Sequence, residues 1–552
     1  VVDKLQQQKL YPYAGSEDLT KNPLLISPTD IIESDNIIYT TYSTKKKRPG
    51  LSQAFAKLAK MGRRVLGIKD FWRLGVQRVV VWDGQYLWSI NPITSDLTNI
   101  TGDNKLPIDQ TVSFEAFYGF LIIFFGGGQT PIKSWNQTGT IVDLISTPTI
   151  QVPHPETYYV APFGRLFLNR LVIPDPIYKG RMLLSATNDP QDFEGADATA
   201  VDCGINDGDP VGPAAIFPEY YGNLYIGKWL SIWQISPITL DDGSIFFKPV
   251  KITGGVGCIS HNGVAAVEND IFFPSHRGVH SLISTRKFAQ FETDFKSLKI
   301  QNLWTKNVNF KRSQYIQSIY DIASNAVLWI YPSSSYNYPT EVLGYSTVSE
   351  SVLKVSTAAM EAAEVNKATI KWFRWQSYNQ TAIASYVDPN TKTLTTLVGD
   401  GAGNLSIIDP EAKTDLGKPI NIFLQSGIIC ASGAPDDTFE FDFIMPIFVP
   451  QTSGTFRIMM KVDGKVTNDL TFSMKDDSIS ALLGSTFVMG QSYLGGTPIV
   501  KFDKRRIGGN GMTYQLFITH EQAENEDPCD FELLGVMMDI DMISKTTGTK
   551  VA

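Results

Sequence analysis

Short apolar runs and turn residues alternate along this chain with a steady rhythm. From residue 64 the runs "VLGIKDFWR", "QRVVVWDG", "QYLWSINP" and "DLTNITG" succeed one another, divided by turn residues. Runs of this length, rich in β-branched and aromatic residues and bounded by turn formers, predict short β-strands. The scheme then repeats: "VSFEAFYG", "FLIIFFGGG", "PIKSWNQTG", "TIVDLIS"; next "TYYVAPFG", "RLFLNRLVIP", "RMLLSATNDPQDF"; next "AAIFPEYYG", "NLYIGKWL", "SIWQISP", "IFFKPVKIT". A fifth unit holds "GVAAVEND", "IFFPSHRG" and "VHSLIST". A sixth holds "YIQSIYDIASN", "AVLWIYPSS" and "TEVLGYSTVS". A seventh holds "IKWFRWQSYN", "TAIASYVDPN", "TLTTLVGDGAG" and "NLSIIDP".

About seven units of roughly 35–50 residues therefore fill residues 64–410, each a meander of about four strands. One such sheet cannot bury both faces alone. Radial packing around an axis buries each against its neighbours, and ring closure leaves only short edges. The expected fold is all-β, with a β-propeller of about seven blades over residues 64–410. A pair of β-sandwiches has similar strand lengths but does not explain the steady period.

The flanks read differently. Residues 1–63 form an extended N-terminal arm, in which "SQAFAKLAKMG", residues 52–62, predicts a short helix ended by Gly62. After Asp409, "PEAKTDLGKP" reads as a polar linker. Beyond it, period-2 strands such as "TFEFDFIMPIFVP" and "TFRIMMKVDG" predict a C-terminal antiparallel β-sandwich over residues 411–552.

Composition narrows the function classes. With 43% hydrophobic and 19% charged residues in 552, the chain is globular and long enough for more than one core. The net charge of −8 argues against general nucleic-acid affinity, which needs a basic surface. It suits a wall that nucleic acid passes without sticking. The opening residues lack the apolar core of a secretory signal. "FYGFLIIFFGGG" is shorter than the ~20 apolar residues of a spanning helix and predicts a buried strand entering a turn.

Candidate chemistry is sparse. Cys203, Cys258, Cys430 and Cys529 lie far apart without a CxxC spacing, which reads as buried free thiols. His276 and His280 stand four apart in "SHRGVHS", but the glutamate and helix of a zincin motif are missing. No GxxxxGK[ST] or GxSxG occurs. Asp83, Asp189, Asp192, Asp400 and Asp409 lie in turn sequences, where aspartate stabilises the turn by bonding backbone N–H groups. No cofactor, metal or catalytic set is expected.

One short stretch stands out: "TTYSTKKKRPGLSQ", residues 40–53, runs Lys45, Lys46, Lys47 and Arg48 into Pro49 and Gly50. By itself the run reads as a solvated basic turn. Its surroundings, "LTKNPLLISPTDIIESDNIIYTTYSTKKKRPGL", resemble the N-terminal signature of a family of bacteriophage tail proteins. In that family a Pro-Leu and Asp-Asn segment leads to a basic Lys-Arg-Pro-Gly before a propeller. Asn22, Pro23, Leu24, Asp35, Asn36, Lys47, Arg48, Pro49 and Gly50 occupy those places, and the glycine pair expected earlier is reduced to Gly15. "RMLLSATNDPQDFE", "FETDFKSLKIQNLW" with "SIYDIASNAVLWIYP", "LVGDGAGNLSIID" and "FELLGVMMDIDM" resemble later parts of the same family, in the same order.

The resemblance implies a non-catalytic virion structural protein: a nozzle, hub or tail-tip component, part of the DNA-ejection conduit. It implies a homo-oligomeric ring docked to other tail proteins (an adaptor, fibres or spikes), with transient passage of DNA and no membrane-spanning segment. Asp35, Asn36, Lys47, Arg48, Pro49 and Gly50 are then the structural or interface candidates, in an ordered arm lying against its own propeller or a neighbour. Two alternatives compete. One is a propeller that binds or cleaves glycans, through aromatics such as Trp82, Trp88, Trp229 and Trp233. The other is a WD-type scaffold, although Trp-Asp occurs once, in "VWDG".

Overall fold

The computed structural model describes residues 6–11, 16–19, 22–26, 30–40, 44–55, 62–102, 106–144, 160–205, 207–209, 211–267, 270–282, 297–347, 371–376, 378–430, 438–475, 500–522 and 527–544. The architecture is all-β, a succession of small antiparallel sheets with a propeller-like arrangement.

The first sheet is a meander of Gly67–Arg73, Val76–Trp82, Leu87–Ile90 and Leu97–Asn99. The second runs from Val112–Phe117 through Phe120–Phe125 and Lys133–Trp135 to Val142–Asp143. The third comprises Arg165–Phe167, Arg170–Pro174, Arg181–Leu184 and Thr199–Asp202. The fourth comprises Ala215–Ile216, Leu224–Gly227, Ser231–Thr239 and Ile245–Gly254. In the fifth, Ala265–Val267, Asp270–Pro274 and Val279–Ser281 are described. "RLFLNRLVIP" is two strands rather than one, because Leu168 and Asn169 both take positive φ (48° and 57°) and turn the chain.

The first strands of these sheets line up around an axis. Gly67–Arg73 touches Val112–Phe117, which touches Arg165–Phe167; Ala265–Val267 touches Gln317–Asp321. Gln380–Val387 touches Gln317–Asp321 on one side and returns to Gly67–Arg73 on the other. Neighbouring sheets bury aromatic and branched side chains between them. Trp82 and Phe125 meet edge to face between the first two sheets, with ring centroids 5.3 Å apart.

The last two sheets depart from the sequence-based grouping. Lys371–Trp375, expected in the seventh unit, is the fourth strand of the sixth sheet, after Gln317–Asp321, Ala326–Tyr331 and Glu341–Ser346. The seventh sheet then has only three consecutive strands, Gln380–Val387, Leu394–Asp400 and Leu405–Asp409. Its fourth is Gly50–Gln53, paired antiparallel with Leu405–Asp409 in the register Ile408↔Leu51. The arm thus completes this sheet. Ser52 and Gln53 are strand, not helix, since Leu51 is wanted in the core; the rest of the expected helix up to residue 61 falls largely outside the described residues. The expected linker is a hairpin, Thr414–Asp415 with Lys418–Pro419, added to the same sheet around Leu416 (φ 50°) and Gly417 (φ 87°).

Two larger sheets stack on this side. One contains Ile37–Tyr39, Lys45–Lys47, Glu532–Ser544 and Thr438–Phe448, with Gln6–Tyr11 on Glu532–Ser544. The other orders Ile31–Asp35, Ile422–Ser426, Thr513–His520, Thr455–Val462 and Lys465–Ser473. They meet through Phe448, Phe456, Phe472 and Phe531. A single buried cluster runs from these rings to Phe373, Trp375 and Val398 of the sixth and seventh sheets. The N-terminal segment is therefore woven into three sheets and does not lie on them as a separate arm.

Candidate functional site

Asp35, Asn36, Lys47, Arg48, Pro49 and Gly50 converge where the stacked sheets meet the last two propeller sheets. Ile31–Asp35 belongs to one stacked sheet and Ile37–Tyr39 to the other, so the chain changes sheet at Asn36. Asn36 takes φ 57°, a left-handed conformation that asparagine tolerates better than most residues. Its N–H donates to the Arg374 carbonyl at 3.0 Å, and its Nδ2 to the Asn421 carbonyl at 2.9 Å. Its Oδ1 accepts from Arg48 Nε at 2.9 Å and its carbonyl from Arg48 N–H at 3.0 Å. Asp35 Oδ1 accepts the Gln376 N–H at 2.7 Å. Burial pushes this carboxyl up to about 6, against the pull of that N–H and of the Arg374 and Arg48 guanidinium groups.

Arg48 is the centre of the knot. Its fork meets Asp415 twice, Nη1 to Oδ1 at 2.9 Å and Nη2 to Oδ2 at 2.5 Å, and Nη1 also donates to the Pro49 carbonyl. Its guanidinium lies 4.9 Å from the centroid of Tyr378 and 5.5 Å from that of Trp375. A bidentate pair with aromatic faces is the geometry that suits arginine and not lysine. Gly50 N–H donates to the Ala412 carbonyl at 2.8 Å. The glycine is needed for space and not for a backbone angle closed to other residues. Its φ lies outside the left-handed range, but a Cβ would stand 2.3 Å from the Thr414 carbonyl oxygen and 2.7 Å from that of Ala412.

The lysines do not form a solvated turn. They are a strand, and its period of two sends Lys45 and Lys47 inward and Lys46 outward to Asp530 at 3.0 Å. Lys47 Nζ donates to the Cys529 carbonyl at 2.6 Å, and burial lowers its pKa. Lys45 Nζ and Lys371 Nζ each lie 5.2 Å from the Tyr39 ring centroid. Burial pulls Lys45 down to about 7, helped by the Lys371 ammonium, and pulls Lys371 to about 8. Beside them Glu17, fully buried, pairs with Arg374 at 2.8 Å and accepts from Ser34 Oγ; burial raises its pKa to about 7 against the pull of Arg374.

Other residues singled out by the sequence do not join this cluster. Asn22 accepts the Leu24 N–H and starts the turn Pro23–Leu25; Gly15 lies outside the described residues. Asp83, Asp189, Asp192, Asp400 and Asp409 each accept backbone N–H groups within their own turns. Trp82 is fully buried and donates to the Gln110 carbonyl, and the half-buried Trp88 donates its indole N–H to Asp83. His276 stacks on Trp229 and His280, on a strand, stacks on Phe273. Among the described residues no group of three or more His, Cys, Asp or Glu side chains is placed to hold a metal ion. A cavity of about 430 Å³ lies on the axis, lined by first-strand residues including Lys69, Asp70, Ser113 and Gln317.

Asp415, Trp375 and Tyr378 were not legible as site residues. The Trp-x-x-Tyr of "WFRWQSYN" and the Asp of "KTDLG" carry no local signal pointing to Arg48, from which Asp415 is 367 residues distant. No family model matches the chain, and no curated protein matches it. Among solved structures, the chain is similar to one in "Crystal Structure of Mitotic Checkpoint Complex", at 11% identity and TM-score 0.35, over 65% of this chain and 92% of that one. It is also similar to one in "Crystal structure of BBS1N in complex with ARL6DN, soaked with mercury", at 12% identity and TM-score 0.37, over 67% and 99%.

Proposed function

We propose that this chain is a non-catalytic structural subunit of a phage tail, a nozzle, hub or tail-tip component, built on a seven-bladed propeller and assembled as a homo-oligomeric ring that docks other tail proteins. The observation that supports it most is the knot. The residues on which the family resemblance rests, Asp35, Asn36, Arg48, Pro49 and Gly50, are the residues that tie the propeller to the stacked sheets. A motif used to lock two bodies into one rigid unit suits a load-carrying wall.

The conduit for DNA in this reading is the centre of the ring of subunits. The major groove alone of duplex DNA is about 12 Å wide, and the axial cavity of 430 Å³ is partitioned by an Asn262 Nδ2 bond to the Val112 carbonyl across it. No duplex threads such an axis. Locating the chain in a virion reconstruction tests the proposal: density for a ring of seven-bladed propellers in the tail is expected. A virion preparation in which antibodies to the chain label nothing, or a purified protein that cleaves glycans, would overturn it.

A further inference from the structure

Two spaces lie on the axis, one of about 430 Å³ and one of about 220 Å³. Asn262, in the segment before the fifth sheet, stands in the wall of both. Its Nδ2 donates to the Val112 carbonyl at 2.9 Å, and its own carbonyl accepts the Ser318 N–H at 2.9 Å. This joins first strands of the second and sixth sheets across the axis. The larger space has the volume of a small-molecule site. It reaches the surface where Trp72 and Leu394, 42% and 47% exposed, form part of its wall.

The acceptors in this wall are already used, and the donors are not. Asp70 accepts from Gln77 Nε2 at 2.9 and 3.0 Å, from the Val387 N–H at 3.1 Å and from Trp72 Nε1 at 3.3 Å. Gln317 Oε1 accepts the Ile383 N–H at 3.1 Å, while its Nε2 donates to the Leu66 carbonyl at 3.0 Å. His261 is different. Its Nδ1 accepts the Ile216 N–H at 3.2 Å, so the neutral ring carries its proton on Nε2. That N–H meets no acceptor among the described residues. The ring lies against Phe163, with centroids 4.7 Å apart, which fixes its direction. Burial, helped by the Arg165 guanidinium, pushes its pKa well down, so it stays neutral. Arg165 has Glu115 beside it, but Nε and Oε1 are 3.6 Å apart, too far for a hydrogen bond. Lys69 adds a second cation to the wall, with no acceptor for its ammonium among the described residues.

We propose that the larger axial cavity binds a small oxyanion, a carboxylate or a phosphate, held by the Arg165 guanidinium and the His261 Nε2–H with Lys69 as the second cation. A wall with spare donors and spent acceptors selects a ligand rich in acceptors. The planar guanidinium suits both carboxylate and phosphate oxygens. Val264 and Ile319 in the same wall leave apolar surface for a carbon skeleton. Lys69 lies on the first sheet, Arg165 on the third, and His261 precedes the fifth. A bound anion therefore ties three sheets across the axis and should raise the melting temperature. The proposal is independent of the tail reading and stands or falls without it.

Titration calorimetry and thermal melting of the full chain at constant ionic strength test this. The probes are inorganic phosphate, citrate and glucose 6-phosphate, with glucose as the uncharged control. Saturable one-to-one binding of at least one anion is expected, with raised melting and no response to glucose. Binding of phosphate alone identifies the ligand as the inorganic ion, and tighter binding of citrate or glucose 6-phosphate identifies an organic anion; either supports the site. Arg165→Gln should weaken binding at least ~10-fold, the loss of a charge-assisted hydrogen bond. Lys69→Gln, at a half-buried strand position, should weaken it less and leave the fold intact. Lys465→Gln, on an exposed turn of the stacked sheets, should bind as wild type. No binding of any of the three anions at millimolar concentration overturns the proposal. So does glucose bound as tightly as glucose 6-phosphate. So does unchanged affinity in a folded Arg165→Gln chain, or in Lys69→Gln should Arg165→Gln not fold.

Discussion

The first and second sheets and the sixth and seventh are built from the same kind of strand, yet they are secured in opposite ways. The first two are made of consecutive segments, and their junction is dry: Val80, Trp82, Leu121, Ile123 and Phe125 share one buried cluster. The seventh takes its last strand from residues 50–53 and hides a charged knot, Arg48 with Asp415, beneath the rings of Trp375 and Tyr378. A local meander forms at little loop-closure cost, whereas a junction between the chain's beginning and residue 415 must close most of the polypeptide. Directional bonds at such a junction select one register, and a slip by one residue would turn Leu51 out of the core. We read the buried charges as a specificity device of this kind, since ion pairs of this type add little net stability.

The largest expected effect comes from removing the closure. Deleting residues 1–53 takes out the fourth strand of the seventh sheet and four strands of the stacked sheets. Loss of a single cooperative unfolding transition is expected, with aggregation through the exposed edge of Leu405–Asp409. The triple variant Lys45→Gln, Lys46→Gln, Lys47→Gln should fold but melt lower, because two of the three side chains are buried. A truncated chain that melts like wild type would show that the closing strand is dispensable.

Next in size is the knot. Arg48→Ala strands a carboxylate that is 24% exposed, and Asp415→Ala strands a guanidinium that is 3% exposed. Removing one partner of such a pair costs about 3–5 kcal/mol when both are buried, so we expect about 3 kcal/mol for Asp415→Ala and less for Arg48→Ala. Urea midpoints of both single variants and the double should reveal coupling above about 1 kcal/mol. Additive effects would mean that the bidentate geometry contributes nothing. Lys in place of Arg48 should not rescue, as its ammonium cannot reproduce the planar two-bond fork to Asp415 beside the Trp375 and Tyr378 rings.

Gly50→Ala sharpens the comparison at a single methyl group. The new Cβ would meet backbone oxygen atoms of Thr414 and Ala412, which cannot rotate away. A loss of about 1–3 kcal/mol is expected, the usual range for overpacking. Gly128→Ala in the second sheet's turn, where nothing stands within 4 Å of the new Cβ but φ is 60°, separates backbone strain from collision. A Gly50→Ala variant that melts like wild type would show that the hairpin at Ala412 and Thr414 shifts to admit the methyl group.

These two regions also mark how far the sequence could be read. Runs such as "QRVVVWDG" and "FLIIFFGGG" were legible as strands because each is bounded by its own turn and pairs with its neighbour. "IKWFRWQ" fell into the wrong sheet because a period counted along the chain cannot see a strand supplied from residue 50. For the same reason "PEAKTDLGKP" looked like a linker: its polar residues are those of a hairpin whose partner, Gly50–Gln53, lies elsewhere. The Arg-Pro-Gly turn was visible and its carboxylate was not. Lys45 and Lys47 misled because charge alone suggests solvent, and only the strand alternation around them, anchored by Tyr39 and Phe531, places them inside.

The smallest expected effect is a pH dependence confined to the charged side of the molecule. Lys45 is 1% exposed and faces the Lys371 ammonium, the Tyr39 ring and, more distantly, the Asp30 carboxylate. Its pKa falls from 10.5 to about 7 on folding, so between those values the unfolded chain binds more protons than the folded one. Stability then rises with pH across that window. Glu17 works in the opposite sense at lower pH. Its pKa rises from 4.5 to about 7, the folded chain holds the extra proton, and stability falls as pH climbs through that range. Together the two groups set a minimum near pH 7. Urea midpoints at pH 5, 7 and 9 should therefore trace a shallow trough in wild type. Lys45→Met should lower its alkaline limb, leaving the part that Lys371, held at about 8, contributes, and Glu17→Gln should lower its acid limb, leaving the part that Asp35 contributes, while a substitution at the apolar first junction, such as Val80→Ala, should lower the whole curve without changing its shape. An alkaline limb unchanged by Lys45→Met would assign the rise to other groups and remove this buried lysine from the account of how this side of the molecule is held.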